Sequence, residues 1–246
     1  MADFVVPDWP APANVRALQT TRSGGCSFSP WDSLNLGDHV GDSPEHVIAN
    51  RAILRDHLPA EPLWLNQVHG IAAVDAEISQ KTITSDAAFS RRAGVVCAVM
   101  TADCLPVLFS DRAGTVVAAA HAGWRGLQAG VLESCVDRMA VAAPDILAWL
   151  GPAIGPQAFE VGDEVREAFI QSGVTAESCF VRHGSGKWLA DIYRLARLRL
   201  AANLLTAIYG GNFCTMTDAR RFFSYRRDGV TGRMATLIWL APTSVV

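Results

Sequence analysis

The sequence predicts a single domain spanning residues 1–246 in the mixed α/β class, and three observations predict it. Half of the residues are apolar and 18% are charged, the balance of a globular enzyme with several buried strands. Short apolar runs of strand length alternate with stretches that repeat at helical spacing. No Gly/Ser/Pro-rich linker, low-complexity tract or repeat of fixed period divides the chain.

Residues 22–42, RSGGCSFSPWDSLNLGDHVGD, are rich in Gly, Ser and Asp and read as turns with one short strand at most. A helix follows: Asp42 or Ser43 can cap it, Pro44 suits its first turn, and Val47, Ile48, Ile53 and Leu54 form an apolar stripe that runs to Leu58. Strands are predicted at 63–65, 71–75 and 94–101, where VVCAVM suits a sheet centre, then at 106–110 and 115–120. The pattern next gives a helix over 126–142, a strand over 146–150, the turn GPAIGP at 151–156, and helices over 162–171 and 190–207. The segment FFSYRRD (222–228) and a strand over 233–240 close the chain.

Charge and hydropathy exclude two partner classes. A net charge of −3 with scattered Lys and Arg leaves no basic stripe for nucleic acid. The apolar runs are far shorter than the roughly 20 residues of a membrane helix, and no membrane partner is expected. The N-terminus has no basic-then-apolar signal pattern and is interrupted by Pro7, Pro10 and Pro12. Cysteines at 26, 97, 104, 135, 179 and 214 form no CxxC pair, as expected of free thiols in a reducing compartment. A cytoplasmic protein is therefore expected, and its oligomeric state is left open.

Three turns carry the chemistry: NQVHG (66–70), TADCLP (101–106) and HAGWRG (121–126). Each holds one donor for a borderline-soft metal, His69, Cys104 and His121. Two imidazoles and a thiolate leave a fourth tetrahedral position of Zn²⁺ free for water, the catalytic arrangement. Singly, each His also fits a hydrogen-bonded structural role and Cys104 fits buried filler; the polar neighbours Gln67, Asp103 and Arg125 weigh for a site. The glycines of HAGWRG allow close backbone approach, and its helix start with Arg125 suits phosphate. Arg51 and Arg226 are further substrate-binding candidates, with a solvated surface charge as the alternative for each. Trp31, Trp64 and Phe223 are able to stack on a purine but read as core.

The motifs SLNLGDHVGD with Asn50 and Arg51, NQVHG, TADCLPVLF, AAAHAGWRG, GPAIGP with FEVG, and FFSYRRD with TGR resemble the laccase-domain family, also called the peptidoglycan editing factor or purine nucleoside phosphorylase family. The resemblance runs from about Arg22 to Leu240. It implies an α+β fold in a layered α/β/β/α arrangement with mixed β-sheets. It also implies zinc on His69, Cys104 and His121, phosphorolysis of adenosine, inosine and methylthioadenosine, and deamination of adenosine. The sequence departs at SDAAFS (85–90), where members more commonly carry an acidic turn followed by Val and Thr; Asp86 is kept.

On that reading Cys104 and His121 are catalytic as metal ligands, and Asp103 is the proton shuttle of deamination, with turn formation as its other role. Arg125, Gln67, Arg51 and Arg226 contact nucleoside and phosphate. Three alternatives remain open. Cu²⁺ fits the same donors and would give incidental polyphenol oxidase activity. A cysteine hydrolase or amidase editing a peptidoglycan precursor would use Cys104 as nucleophile with His121 or His69 as base. A fourth ligand from Cys97 or His39 would make the metal structural. A multicopper oxidase is disfavoured, since the chain has six histidines and no His-x-His pair.

Overall fold

Alternation along the apolar strands sorts the core into layers. In the computed structural model, which describes residues 2–77, 83–172 and 175–242, two sheets stack face to face with helices on both outer faces. The smaller sheet has four antiparallel strands, in the order Phe4–Val5, Val15–Thr20, Met234–Leu240 and Val96–Thr101. The larger has six, in the order Ile208–Gly210, Ile146–Leu150, Leu105–Asp111, Val117–Ala122, Ala87–Ser90 and Ala73–Asp75. Its two outermost pairings are parallel and the rest antiparallel, so the sheet is mixed.

Successive strand residues point to opposite faces. Cys97, Val99 and Ile238 meet Leu108, Val117 and Ala119 between the sheets. Val96, Ala98 and Leu237 face outward onto Leu54 of the helix Pro44–Arg55. Leu105, Val107, Phe109, Ala118 and Ala120 face the other way, onto Leu127, Leu132, Val165 and Leu195 of four further helices. This is the α/β/β/α layering that the family resemblance implies. No helix among the described residues is long and apolar enough to cross a membrane, and the six cysteines are free.

Several elements depart from the sequence reading. The helix expected over 126–142 is two, Trp124–Ala129 and Val131–Met139, because Gly130 takes φ 108° between them. The helix expected over 190–207 runs only over Ile192–Ala202, capped by Asp191 accepting from the Arg194 N–H at 2.9 Å, and the chain reverses near Leu204 at φ 65°. Ser43 caps the first helix without a side-chain bond, while Asp42 accepts from Ser27, Asn35 and the Ser43 N–H. Strands at Val15–Thr20 and Ala87–Ser90 and the hairpin of Phe180–Arg182 with Lys187–Ala190 carry too little alternation to be read from sequence.

Candidate metal centre and its two cavities

Antiparallel pairing builds the site. Strand Leu105–Asp111 begins where Val117–Ala122 ends, with Leu105 opposite Ala122 and Pro106 opposite His121, so the turn bearing Cys104 comes up beside His121. Strand Ala87–Ser90 flanks His121 on the other side, which sets Asp86 at the same sheet edge. The turn 66–70 then folds over this edge.

Asp86 fastens the parts together. Fully buried, it accepts from the backbone N–H groups of Val68, His69 and Gly70 at 3.2, 2.9 and 2.7 Å, and lies 2.8 Å from Nδ1 of His121. Its own carbonyl accepts from the His121 N–H at 2.7 Å. A carboxylate behind a ligating histidine fixes the ring orientation and leaves Nε2 as the donor. Burial opposes ionisation of Asp86, yet the hydrogen bonds from His121, Gly70 and Val68 outweigh it and hold the carboxyl below its ordinary range.

His69 and Asp103 are held at positive φ, 61° and 93°, conformations that cost L-residues of order 1–3 kcal/mol each. Asp86 grips the first. Asp103 is held through its side chain, which accepts from the Thr215 hydroxyl and the Arg226 N–H, both at 2.6 Å, and through its carbonyl, which accepts from the Ile154 N–H at 2.9 Å.

The ligand atoms of His69, Cys104 and His121 lie within 4.8 Å of one another, and Sγ of Cys104 is 3.7 Å from Nε2 of His69. Zinc bonds of about 2.3 Å to sulfur and 2.0–2.1 Å to nitrogen at a tetrahedral angle would separate two such donors by about 3.6 Å. The residues present thus fit a divalent metal in both donor chemistry and spacing. Gly123 makes the approach possible: a Cβ there would meet Cδ2 of His69 at 2.4 Å and Sγ of Cys104 at 3.2 Å. Burial works against a charged Cys104, but the adjacent His121 and hydrogen bonds from both histidines bring it down to about 6. His121, also penalised by burial, is pushed up to about 9 by Cys104 and Asp86. A thiolate beside an imidazolium is the metal-free state this favours.

This geometry has close relatives. A family described as multi-copper polyphenol oxidoreductase laccase matches residues 16–241. The chain belongs to that family. Among curated relatives, purine nucleoside phosphorylases of Pseudomonas aeruginosa and Escherichia coli are each 57% identical, covering 98% of this chain and 99% and 100% of their own. A crystal structure of a Neisseria meningitidis protein is similar at a TM-score of 0.94 and 53% identity, covering 97% of this chain and 99% of that one. The YlmD protein of Geobacillus stearothermophilus is similar at 0.88 and 32%, covering 95% and 94%.

Two cavities meet at the laccase-family cluster and share His69, Ala102, Cys104 and Tyr225 in their walls. The first, about 250 Å³, is walled by Trp124, Ile154 and Phe159 with Arg125 and Arg226. The second, about 430 Å³, is lined by His39, Gln67, Thr101, His121 and Arg233. Arg125 lies over the Trp124 ring at 4.4 Å from its centroid. Arg226 donates to the Glu160 carbonyl at 2.9 Å. Gln67 is committed to Met100: its amide donates to the carbonyl at 2.8 Å and its oxygen accepts from the N–H at 2.7 Å.

Arg51 stands apart. Its guanidinium donates to the Leu36 carbonyl at 3.0 and 2.9 Å, pairs with Asp38 at 3.4 Å and covers Trp64, so it braces the 36–39 loop and lines neither cavity. Trp31, Trp64 and Phe223 line neither. Sequence reasoning assigned no role to Asp86, Trp124, Thr215, Tyr225 or Arg233. An isolated Asp opening an apolar strand, and an Arg directly before the last one, were the signals available for Asp86 and Arg233.

Proposed function

We propose that the chain is a zinc-dependent purine nucleoside phosphorylase of the cytoplasm, which cleaves adenosine, inosine and methylthioadenosine with phosphate and also deaminates adenosine. The observation that carries this reading is the meeting of His69, Cys104 and His121 at a wall shared by two cavities, one apolar with guanidinium groups at its margin. The phosphorylase names of the full-length relatives at 57% identity support it.

Each residue then has a task. The apolar walls of Trp124, Ile154 and Phe159 take the purine, excluding water from its faces. Arg125 and Arg226 orient the nucleoside at the cavity margin, and Gln67 holds the turn bearing His69 against strand Val96–Thr101 through its two bonds to Met100. Asp86 orients His121. When bound, zinc supplies Lewis acidity and a water of near-neutral pKa, the nucleophile that deamination at C6 requires. Asp103 is the proton carrier in this scheme; because both its oxygens hold hydrogen bonds, it also positions the Cys104 turn.

A product assay on metal-quantified protein tests the reading. Adenosine is supplied with and without phosphate, and adenine, inosine and hypoxanthine are separated for wild type and Cys104→Ala. Phosphate-dependent base release lost together with zinc in the variant supports it; no turnover by zinc-replete wild type refutes it.

A second reading has its own observation. The Cys104 thiol at about 6 beside His121 is a competent nucleophile whenever metal is absent. A cysteine amidase would be active without metal and blocked by thiol alkylation, and a phosphorylase would show the opposite.

A further inference from the structure

We infer that inorganic phosphate, the co-substrate of the reaction proposed above, binds in the second cavity on Arg233 and Thr101 and not on Arg125 in the first. Arg233 is half-buried, and only its Nη1 is engaged among the described residues, donating to the carbonyls of Thr231 and Gly232 at 3.1 Å each. No carboxylate forms an ion pair with it among those residues, although a cation inside a fold ordinarily has one. The acidic groups that act on its charge most are Cys104 and Asp103. The first is a metal ligand in the loaded protein, and the second is hydrogen-bonded to Thr215 and Arg226.

Thr101 supplies the independent observation. It lines the same cavity at 1% exposure, and its hydroxyl has no hydrogen-bond partner. Buried hydroxyls without partners are uncommon and mark a missing ligand or water. Thr101 pairs across the sheet with Met234, the residue after Arg233, and Thr101 and Arg233 both line this cavity. An oxyanion is the ligand class that accepts from both.

Arg125 is the rival. It is exposed on a helix of six residues, where water screens its charge; the half-buried Arg233 acts in a medium of lower dielectric and binds an anion more strongly. With phosphate on Arg233 and purine against Trp124 and Phe159, the two reactants converge on the shared wall. A phosphate oxygen forms its bond to C1′ as the C1′–N bond breaks. The base departs with the bonding pair and takes up the proton of hydrogen phosphate.

The placement rests on the phosphorylase reading, and calorimetry without nucleoside separates the two. Zinc-loaded wild type is titrated with inorganic phosphate and, in a second arm, with adenosine 5′-monophosphate. Arg233→Gln is expected to weaken phosphate binding by about tenfold or more, Thr101→Val by about threefold, and Arg125→Gln by less than about twofold. Should Arg233→Gln fail to fold by circular dichroism, Thr101→Val carries the test. Phosphate binding that follows Arg125 and ignores Arg233 and Thr101 overturns the placement. So does Arg233-dependent binding of the nucleotide alone, which would make the site one for an esterified phosphoryl group. Arg233-dependent phosphate binding without any nucleoside cleavage upholds the site and refutes the phosphorylase reading. Phosphate-dependent cleavage whose KM for phosphate is unchanged in Arg233→Gln and Thr101→Val does the reverse.

Discussion

Gly123 is where one methyl group separates the geometry of the metal cluster from the stability of the fold. Its backbone lies at φ −61° and ψ 156°, values open to any residue, so alanine there adds no backbone strain. The added Cβ would stand 2.4 Å from Cδ2 and 3.0 Å from Nε2 of His69. Carbon contacts relax near 3.5–4.0 Å, so the imidazole must retreat by about 1 Å. His69 is exposed and has room to do so, which spares the core. Ligand distances tolerate only about 0.2 Å, so a displaced His69 no longer coordinates. Zinc affinity of Gly123→Ala is expected to fall by about 100-fold or more, equivalent to about 2.7 kcal/mol. The metal-free protein should lose only about 1 kcal/mol, the low end for overpacking, because the yielding side chain faces solvent. Chelator competition reads the affinity, thermal unfolding of the metal-free protein reads the stability, and cobalt substitution reads coordination through its d–d bands. Wild-type affinity with an unchanged cobalt spectrum would show that His69 is not a ligand and would refute the argument.

Asp86→Asn removes the charge behind His121 and turns an amide NH₂ toward N–H donors. It should lower zinc affinity about 10–100-fold and reduce the melting temperature even without metal, and a variant altered in neither would deny Asp86 its positioning role. The Cys104 thiol, lowered from its ordinary 9.0 to about 6, is a thiolate above that value and protonates as pH falls through it. Iodoacetamide labelling of metal-free protein carrying Cys26→Ser and Cys214→Ser, which removes the other two accessible thiols, should therefore rise with a midpoint near pH 6 and vanish on adding zinc; a midpoint near 9 contradicts the pairing with His121. Asp103→Asn separates its two roles: deamination slowed at least about tenfold with zinc content intact marks a proton carrier, whereas loss of zinc marks a structural clamp.

The layered fold was legible in sequence wherever a strand is apolar on both faces or a helix is regularly spaced. The run 95–100 announced a strand because it is apolar on both faces and sits between two cores, although it closes one edge of its sheet and does not lie at the centre. Val15–Thr20 did not, since VRALQT carries Arg16 and the buried polar residues Gln19 and Thr20, whose burial depends on partners more than two hundred residues away, Thr236 and Ala235. The metal donors were legible because ligand chemistry restricts the residue types. The substrate side was not. Arg51 and Arg233 are indistinguishable as letters, and only tertiary contacts commit the first to Leu36 and Asp38 while leaving most of the second's donors open. Asp86, noted only as a kept residue of SDAAFS, was given no role because its four donors arrive from the turn 68–70 and from His121, neither of them adjacent in sequence.

The family description as a multi-copper laccase and the phosphorylase names of the relatives meet in a single donor set. One thiolate with two imidazoles is a site that Cu²⁺ occupies in preference to Zn²⁺ by intrinsic affinity, so copper loading follows from the ligands and does not require oxidase function. Multicopper catalysis needs several coppers within electron-transfer reach, and His69, Cys104 and His121 form the only such metal-binding group among the described residues. Of the four remaining histidines, His39 lines the second cavity beside Asp38, and the other three are dispersed: His46 near Asp42, His57 against Phe4 and His183 near Glu160. What surrounds the cluster decides the chemistry instead. Arginines and aromatic walls beside one metal position suit a nucleoside and an oxyanion, and a one-copper protein could pass single electrons but not collect the four that reduce dioxygen to water.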